Sequence, residues 1–269
     1  MQLFCSGVSD VGRVRTNNED SFRILEPQNL FVLSDGMGGE AHGEIASALA
    51  VETIVKYCMD SDNDSSSTLD GVDHSKWSEK TKRLESAVHL ANDRICLSAQ
   101  EHPEQRGMGA TVTAAWIDGS RLSVAHVGDS RAYLLRAGNL QQLTTDHSLV
   151  AEQVRRGILT AVEAERSEMQ SVLLRALGAN AKIEVDAEEH VLFPRDILLL
   201  CSDGLTRMVT DPEIAGTLQA ETDPEKAARR LVEVANEGGG QDNITVIVVR
   251  VGSESHNWLS WLRGKKTKS

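Results

Sequence analysis

The chain has 269 residues, 40% apolar and 25% charged, with a formal net charge of −12 and a pI near 5.1. This is ordinary globular composition with enough apolar material for a sizeable core, in one large or two small domains. The acidic balance makes the chain a poor candidate for non-specific nucleic-acid binding, which needs a positive surface, and no apolar run approaches membrane-spanning length.

From the N-terminus, Met1 to Ser6 lacks the basic region and long apolar core of a secretory signal. Leu3 to Val8 reads as a first strand. Ser9 to Asp20 is too polar and glycine-broken for a helix, and carries Arg13 and Arg15 close to Glu19 and Asp20. Taken plainly this is a surface loop with a weak ion pair. Taken functionally it is an anion-gripping arginine beside a cation-gripping acidic pair. Ser21 to Leu25 reads as a strand and Pro27-Gln28-Asn29 as a turn. Phe31-Val32-Leu33 then reads as a buried strand that ends abruptly at Asp35, with Gly36, Met37, Gly38 and Gly39 following. Glycine lets the backbone approach a ligand closely, so a carboxylate is delivered at the end of a core strand beside bare backbone.

After Gly43, a helix is expected with Ile45, Ala48, Leu49, Val51 and Val55 as its apolar face. The stretch of about 60–77 loses all periodicity. Asp60, Asp62 and Asp64 resemble the start of a calcium loop, but Ser65 and Gly71 stand where an EF-hand needs Gly and Glu. A solvated, mobile acidic loop is the expectation. Ser78 is placed to cap a helix carrying Leu84, Val88, Ala91 and Ile95 on one face. Val112 to Ile117, Leu122 to Val127 and Arg131 to Leu135 read as strands, with Asp118-Gly119, Gly128-Asp129 and Gly138-Asn139 as hairpin turns. An antiparallel meander follows, with Asp129 at a tight turn.

Thr144 to Glu168 is helical and charged without a strong apolar stripe, an excursion from the main body. Ile183 to Val191 and Ile197 to Cys201 read as strands, and the second ends in Ser202-Asp203-Gly204, repeating the earlier device. Asp211-Pro212-Glu213 and Asp223-Pro224-Glu225 are helix starts: cap, proline, then an acid in the first turn. The second helix carries Ala227, Leu231 and Val234 and ends at Gly238. Gln241-Asp242-Asn243 places an acid immediately before a buried strand that begins at Ile244. The tail at 253–269 is basic and contains Trp258 and Trp261; loose packing or fraying is expected. Cys5, Cys58, Cys96 and Cys201 form no Cys-x-x-Cys pair, so the thiols read as reduced and the compartment as cytoplasmic.

Asp35, Asp129, Asp203 and Asp242 each flank a strand end. If they converge, each like-charged pair at ~4 Å costs about 4 kcal/mol at an effective dielectric of ~20. Protonation or divalent cations must then relieve the crowding. These motifs offer no His or Cys among the acids, so zinc is disfavoured, and all-oxygen donors favour magnesium or manganese. The Gly36 carbonyl is a further donor. Two such cations sharing a water generate a hydroxide near neutral pH, and Arg15 or Arg13 can grip a phosphate bidentately. The chemistry implied is metal-assisted hydrolysis of a phosphate ester.

The run of Arg15 with Asn18-Glu19-Asp20, Ser34-Asp35-Gly36-Met37-Gly38-Gly39, Gly109-Ala110-Thr111, Val127-Gly128-Asp129-Ser130-Arg131-Ala132, Asp146-His147-Ser148, Ser202-Asp203-Gly204 and Gln241-Asp242-Asn243-Ile244-Thr245 resembles the PP2C-type, metal-dependent serine/threonine protein phosphatases, and most of all their compact bacterial members. The resemblance runs from about Ser6 to Val251. It implies an α+β fold, a four-layer α-β-β-α sandwich of two antiparallel sheets flanked by helices, in one domain over 1–252 with a flap at about 145–175. It also implies hydrolysis of phosphoserine and phosphothreonine on proteins by a metal-bridging hydroxide, in opposition to a cognate Ser/Thr kinase. Asp35, Asp203 and Asp242 would hold one Mn2+ or Mg2+; Asp35 and the Gly36 carbonyl would hold a second, with Glu19 or Asp20 acting through water. Asp129 and Asp203 would form a third site. Arg15 matches the phosphate-binding arginine better than Arg13. A cytoplasmic monomer is expected, with no nucleic acid or inserted membrane as partner. Animal members carry a His where Met37 stands, and bacterial ones often a His where Glu40 stands, which leaves a water on the metal, His42 and His147 as candidates for protonating the leaving group. A catalytically dead binding module and a hydrolase of small phosphorylated metabolites are the rival readings.

Overall fold

A computed structural model describes residues 1–38, 42–60, 77–164 and 166–253. Glu40, nearly all of the acidic stretch at 60–77 and nearly all of the tail at 253–269 lie outside the described residues. The chain opens with β1 (Leu3–Asp10), β2 (Asp20–Leu25), β3 (Leu30–Met37), α1 (Gly43–Met59) and α2 (Glu79–Glu101). It continues through β4 (Gly109–Ala110), β5 (Val112–Asp118), β6 (Arg121–Val127), β7 (Arg131–Arg136), β8 (Asn139–Gln142), α3 (Leu149–Arg155) and α4 (Ala161–Ala164). It closes with β9 (Asp186–Val191), β10 (Ile197–Cys201), α5 (Asp203–Thr206), α6 (Asp211–Ala220), α7 (Pro224–Glu237) and β11 (Ile244–Val251).

Runs such as Leu30 to Leu33 and Ile197 to Cys201 are apolar at every position, so both faces of their strands need cover. Two stacked antiparallel sheets supply it. One sheet has the order β1-β11-β10-β7-β8; the other has β2-β3-β5-β6-β9, with β4 added against the end of β3. Successive side chains point to opposite faces of a strand. Phe31, Leu33, Leu198, Leu200, Ile247 and Val249 therefore fill the space between the sheets. Leu30 and Val32 pack outward with α1 and α2, and Leu199, Val246 and Val248 pack outward with α6 and α7. The architecture is thus the four-layer sandwich that the resemblance implied.

Several local expectations hold. Ser78 caps α2 by accepting from Thr81 N, and Leu84, Val88, Ala91 and Ile95 are buried on it. Asp118 and Arg121 pair across the β5–β6 turn, and Arg136 and Asn139 across the β7–β8 turn. The four cysteines are free, and burial pushes the thiols of Cys58 and Cys201 up to about 12. Among the described residues no helix is long and apolar enough to cross a membrane.

Others need correction. Gly128-Asp129 is no hairpin: β6 pairs with β5 and β9, whereas β7 pairs with β10 and β8, so this turn carries the chain from one sheet to the other. Turn residues report a local reversal; which sheet the next strand joins is decided by distant partners. β3 does not stop at Asp35 but runs on to Met37, because Gly36 and Met37 pair with Ala110 and Gly109. Asp35 therefore sits inside a paired strand, and the meander breaks at Gly128-Asp129. On α1 the most deeply buried apolar residues are Ala46, Ala50 and Ile54, with Ile45, Leu49 and Val55 only partly buried. The helix must satisfy both the sheet and α2, and small alanines suit that close approach. β9 begins at Asp186 and not at Ile183, and α6 is capped by Thr210, whose N–H and hydroxyl both donate to Glu213, one residue ahead of the expected Asp211.

The segment between β8 and β9 leaves the sheets and returns. Its stem is tied where Leu149 N donates to Val172 O at 2.8 Å and Leu174 N to His147 O at 2.7 Å.

Candidate metal centre

Strand register brings the first acids together. Asp20 on β2 lies directly across from Asp35 on β3. Like charges opposite one another in a sheet are unfavourable, so this pairing needs compensation from its surroundings. The backbone of Asp35 is pinned to Thr111: Thr111 N donates to Asp35 O at 2.8 Å, and Asp35 N donates to Thr111 Oγ1 at 3.1 Å. The next residue has no room for a side chain, since a Cβ on Gly36 would lie 2.0 Å from Gly43 O at the start of α1.

The last acids arrive from the other sheet. Asp203 opens α5 directly after β10, and Ser202 beside it donates to Asp20 Oδ2 at 2.8 Å, linking the two sheets. A Cβ on Gly204 would lie 2.0 Å from Asn243 O, which forces the β10–α5 corner onto the residue after Asp242. Asn243 in turn fastens the loop between β1 and β2. Its Nδ2 donates to Val11 O and Asn17 O, and its Oδ1 accepts from Glu19 N at 2.8 Å. That loop presents Arg15. Arg13 is held by its backbone to Gly240 O and stays off the cavity wall.

These elements enclose a cavity of about 610 Å3. Arg15, Asp35, Gly36, Asp129, Asp203 and Asp242 all line it. Glu19 is on its wall as well. Asp20 is not; it is buried beneath, against Ser202. Ser171 and Leu173 reach the wall from the excursion between β8 and β9. His147 does not reach it. It is buried, with Gly128 N donating to its Nδ1 at 3.1 Å and Asp186 Oδ2 3.1 Å from its Nε2, so it holds the stem of the excursion against β9. His42 precedes α1 and is also off the wall, with its Nδ1 buried and unpartnered. Among the described residues no histidine lines the cavity.

The acids are electrostatically crowded. Burial drives the Asp35 carboxyl well above the usual carboxylate range, and Asp20, Asp203, Asp129 and Asp242 add to the push. Burial likewise raises Asp20 to about 7 and, with help from Asp203, Asp129 to about 8. Asp203 is raised by burial against the opposing pull of Arg207, and Glu19 by burial and Glu44. Asp20 Oδ1 and Asp203 Oδ1 are buried without any hydrogen-bond partner. Leaving a buried acceptor unsatisfied is costly, and hard divalent cations are what carboxylate and carbonyl oxygens suit. The residues present therefore fit such ions. Among the described residues no three acidic, histidine or cysteine side chains already close round a single point; the aspartates face one cleft without forming a cage. Two arginines share the cleft: Arg15 Nη2 lies 2.9 Å from Asp242 Oδ2, and Arg207 pairs with Asp203.

Three contributors escaped the sequence reading in these roles. Thr111 and Asn243 act through contacts 76 and 224 residues away along the chain, which no local pattern signals. Arg207 did leave a trace, since a base four residues after an acid marks a helical ion pair.

The protein phosphatase 2C family profile matches residues 12–241. The serine/threonine phosphatase stp of Listeria welshimeri is 37% identical over 244 residues, spanning 90% of this chain and 93% of that protein. The crystal structure of the Mycobacterium tuberculosis serine/threonine phosphatase PstP/Ppp superposes with a TM-score of 0.82 at 37% identity, covering 93% of this chain and 99% of that one. A structure of the PstP catalytic domain in complex with 2 manganese ions matches with a TM-score of 0.79 at 37% identity, with coverage of 93% and 99%.

Proposed function

This chain belongs to the protein phosphatase 2C family and is a protein-serine/threonine phosphatase; on that premise we propose how its own residues carry out the hydrolysis. Asp35, Asp203 and Asp242, with the Gly36 carbonyl, would hold two divalent cations, Mn2+ or Mg2+, with Glu19 or Asp20 acting through water. The observation that carries this reading is the convergence of buried carboxylates from both sheets, some with oxygens that no protein group satisfies. When bound, the ions supply Lewis acidity and a water of lowered pKa.

The remaining work belongs to the chain. Arg15 stands at the mouth of the cleft with its side chain 54% exposed. Its planar fork suits bidentate capture of a phosphate, and Asp242 orients it until substrate arrives. Thr111 and Gly36 fix the backbone of β3, so the reacting phosphorus meets a rigid wall. Among the described residues no histidine lines the cavity, which leaves water, of the candidates the sequence offers, to protonate the departing serine or threonine alkoxide. Ser171 and Leu173, on the cavity wall, are placed to touch the polypeptide beside the phosphorylated residue. The physiological role is reversal of a Ser/Thr kinase.

The test compares substrates and one variant. With Mn2+, phosphoserine and phosphothreonine peptides should be turned over faster than nucleotides or sugar phosphates, and EDTA should abolish activity. Arg15→Ala should lower kcat/KM about 10–100-fold, mainly through KM, as loss of a bidentate phosphate contact requires. Faster turnover of small metabolites, or wild-type KM in Arg15→Ala, would overturn the reading.

A further inference from the structure

Arg207 lies in the cleft but has no part in the reading above, on which this inference rests. It directly follows α5, four residues after Asp203, and its backbone N–H donates to Asp203 O at 2.9 Å. That helical turn folds the guanidinium back over the acids. Its Nη2 pairs with Asp203 Oδ2 and stands 3.9 Å from Asp129 Oδ2. The side chain is only 26% exposed and lines the cavity together with both carboxylates. Arg131, which also lies near Asp129, is committed elsewhere, to Asp146 through Nε and Nη2 at 3.0 and 2.7 Å.

Asp203 is divided by this arrangement. Oδ2 goes to Arg207, while Oδ1 is buried and partnerless, which leaves one oxygen for the two-cation core. Asp129 and Asp203 are the pair that the family resemblance associates with a third cation. A guanidinium is charged at every accessible pH, so this position is already served by a cation tethered to the chain. We propose that Arg207 takes the place of a third dication at Asp129 and Asp203, so that this protein binds two dications and not three. A metal ion and a guanidinium on the same two carboxylates repel one another, and a third ion can enter only by expelling the side chain.

Calorimetric titration of the full-length protein with Mn2+ tests this, with circular dichroism to verify folding of each variant. The wild type should bind two equivalents. Arg207→Met should gain a third, at least ~10-fold tighter than any third binding in the wild type, since a competing charge has been removed. Arg207→Lys, which keeps the charge, should stay at two. Asp129→Asn in the otherwise wild-type chain should leave the count at two; this variant needs no change at Arg207 and serves if Arg207→Met does not fold. Three equivalents in the wild type, two in Arg207→Met, or loss of an equivalent in Asp129→Asn would each overturn the proposal. Failure of every folded variant to bind Mn2+ would instead overturn the two-cation reading beneath it.

Discussion

Aspartates buried in the cleft and aspartates buried elsewhere in this protein live under opposite conditions. Asp196 is almost fully buried, yet it accepts from Arg136 Nε at 3.0 Å and Nη2 at 2.6 Å and from Phe193 N at 2.8 Å. Asp186, only half-buried at the base of the excursion, is pulled down to about 2 by its hydrogen bond with His147 and by Arg175. In the cleft the same residue type is pushed upward: burial raises Asp35 most, and its aspartate neighbours add to that push where a base would oppose it. Burial alone penalises every carboxylate; the partner decides the outcome. Away from the cleft the chain supplies its own cations. Inside it, Arg15 and Arg207 face Glu19, Asp35, Asp129, Asp203 and Asp242, so most of the balancing charge has to come from solution.

The sharpest way to break this contrast is Asp35→Asn. Activity with Mn2+ should fall on the order of 10³-fold, the scale for losing a preorganised electrostatic group. The unfolding temperature in EDTA should rise, because one of several crowded charges has gone. A loss of both activity and metal-free stability would show that the cleft acids are structural, like Asp196.

Asp196→Ala should do the reverse. It leaves Arg136 and the Phe193 N–H without their acceptor, at a cost of about 1–3 kcal/mol, tempered because the Arg136 side chain is 41% exposed. Denaturant melts should register that loss while kcat/KM stays within about twofold, since the pair lies outside the cavity wall.

A further effect is in pH. Asp20 and Asp129 have folded values of about 7 and about 8, above the unfolded range near 4. A raised acid favours the folded state at low pH and withdraws that support as pH climbs through the folded value. Metal-free stability should therefore decline from about pH 4 to about pH 8, and saturating Mn2+ should remove only part of the decline, since Asp129 stands outside the two-cation set. Asp186 works the other way, with its support present above the unfolded range and lost toward pH 2. Thermal melts at intervals across pH 2–8, with and without Mn2+, separate the two; a metal-free curve that rises from pH 5 to 8 would contradict the crowding.

What could be read ahead of the structure follows the reach of each cause. Asp35, Asp203 and Asp242 stood out because a charged residue at the edge of an apolar run, beside glycine or a turn, is a local anomaly. Ser78 and the apolar face of α2 were equally local. Gly128-Asp129 misled because turn chemistry is local whereas sheet membership is not; a strand pair with β10 is visible only once Ile197–Cys201 is in place. Asn243 looked like a mere neighbour of Asp242, although its three hydrogen bonds fasten the Arg15 loop. His147 offered itself as an acid by type, and only its burial and its two engaged ring nitrogens show it to be a brace.

The register that sets Asp20 across from Asp35 reaches beyond turnover. A protein whose native form is eased by an ion loses population to opened forms when that ion grows scarce, and opened forms are what proteases cut. Digestion by a broad-specificity protease should accordingly slow as Mn2+ is added. With that outcome, two carboxylates on neighbouring strands would tie how long the chain endures to how much manganese is within reach.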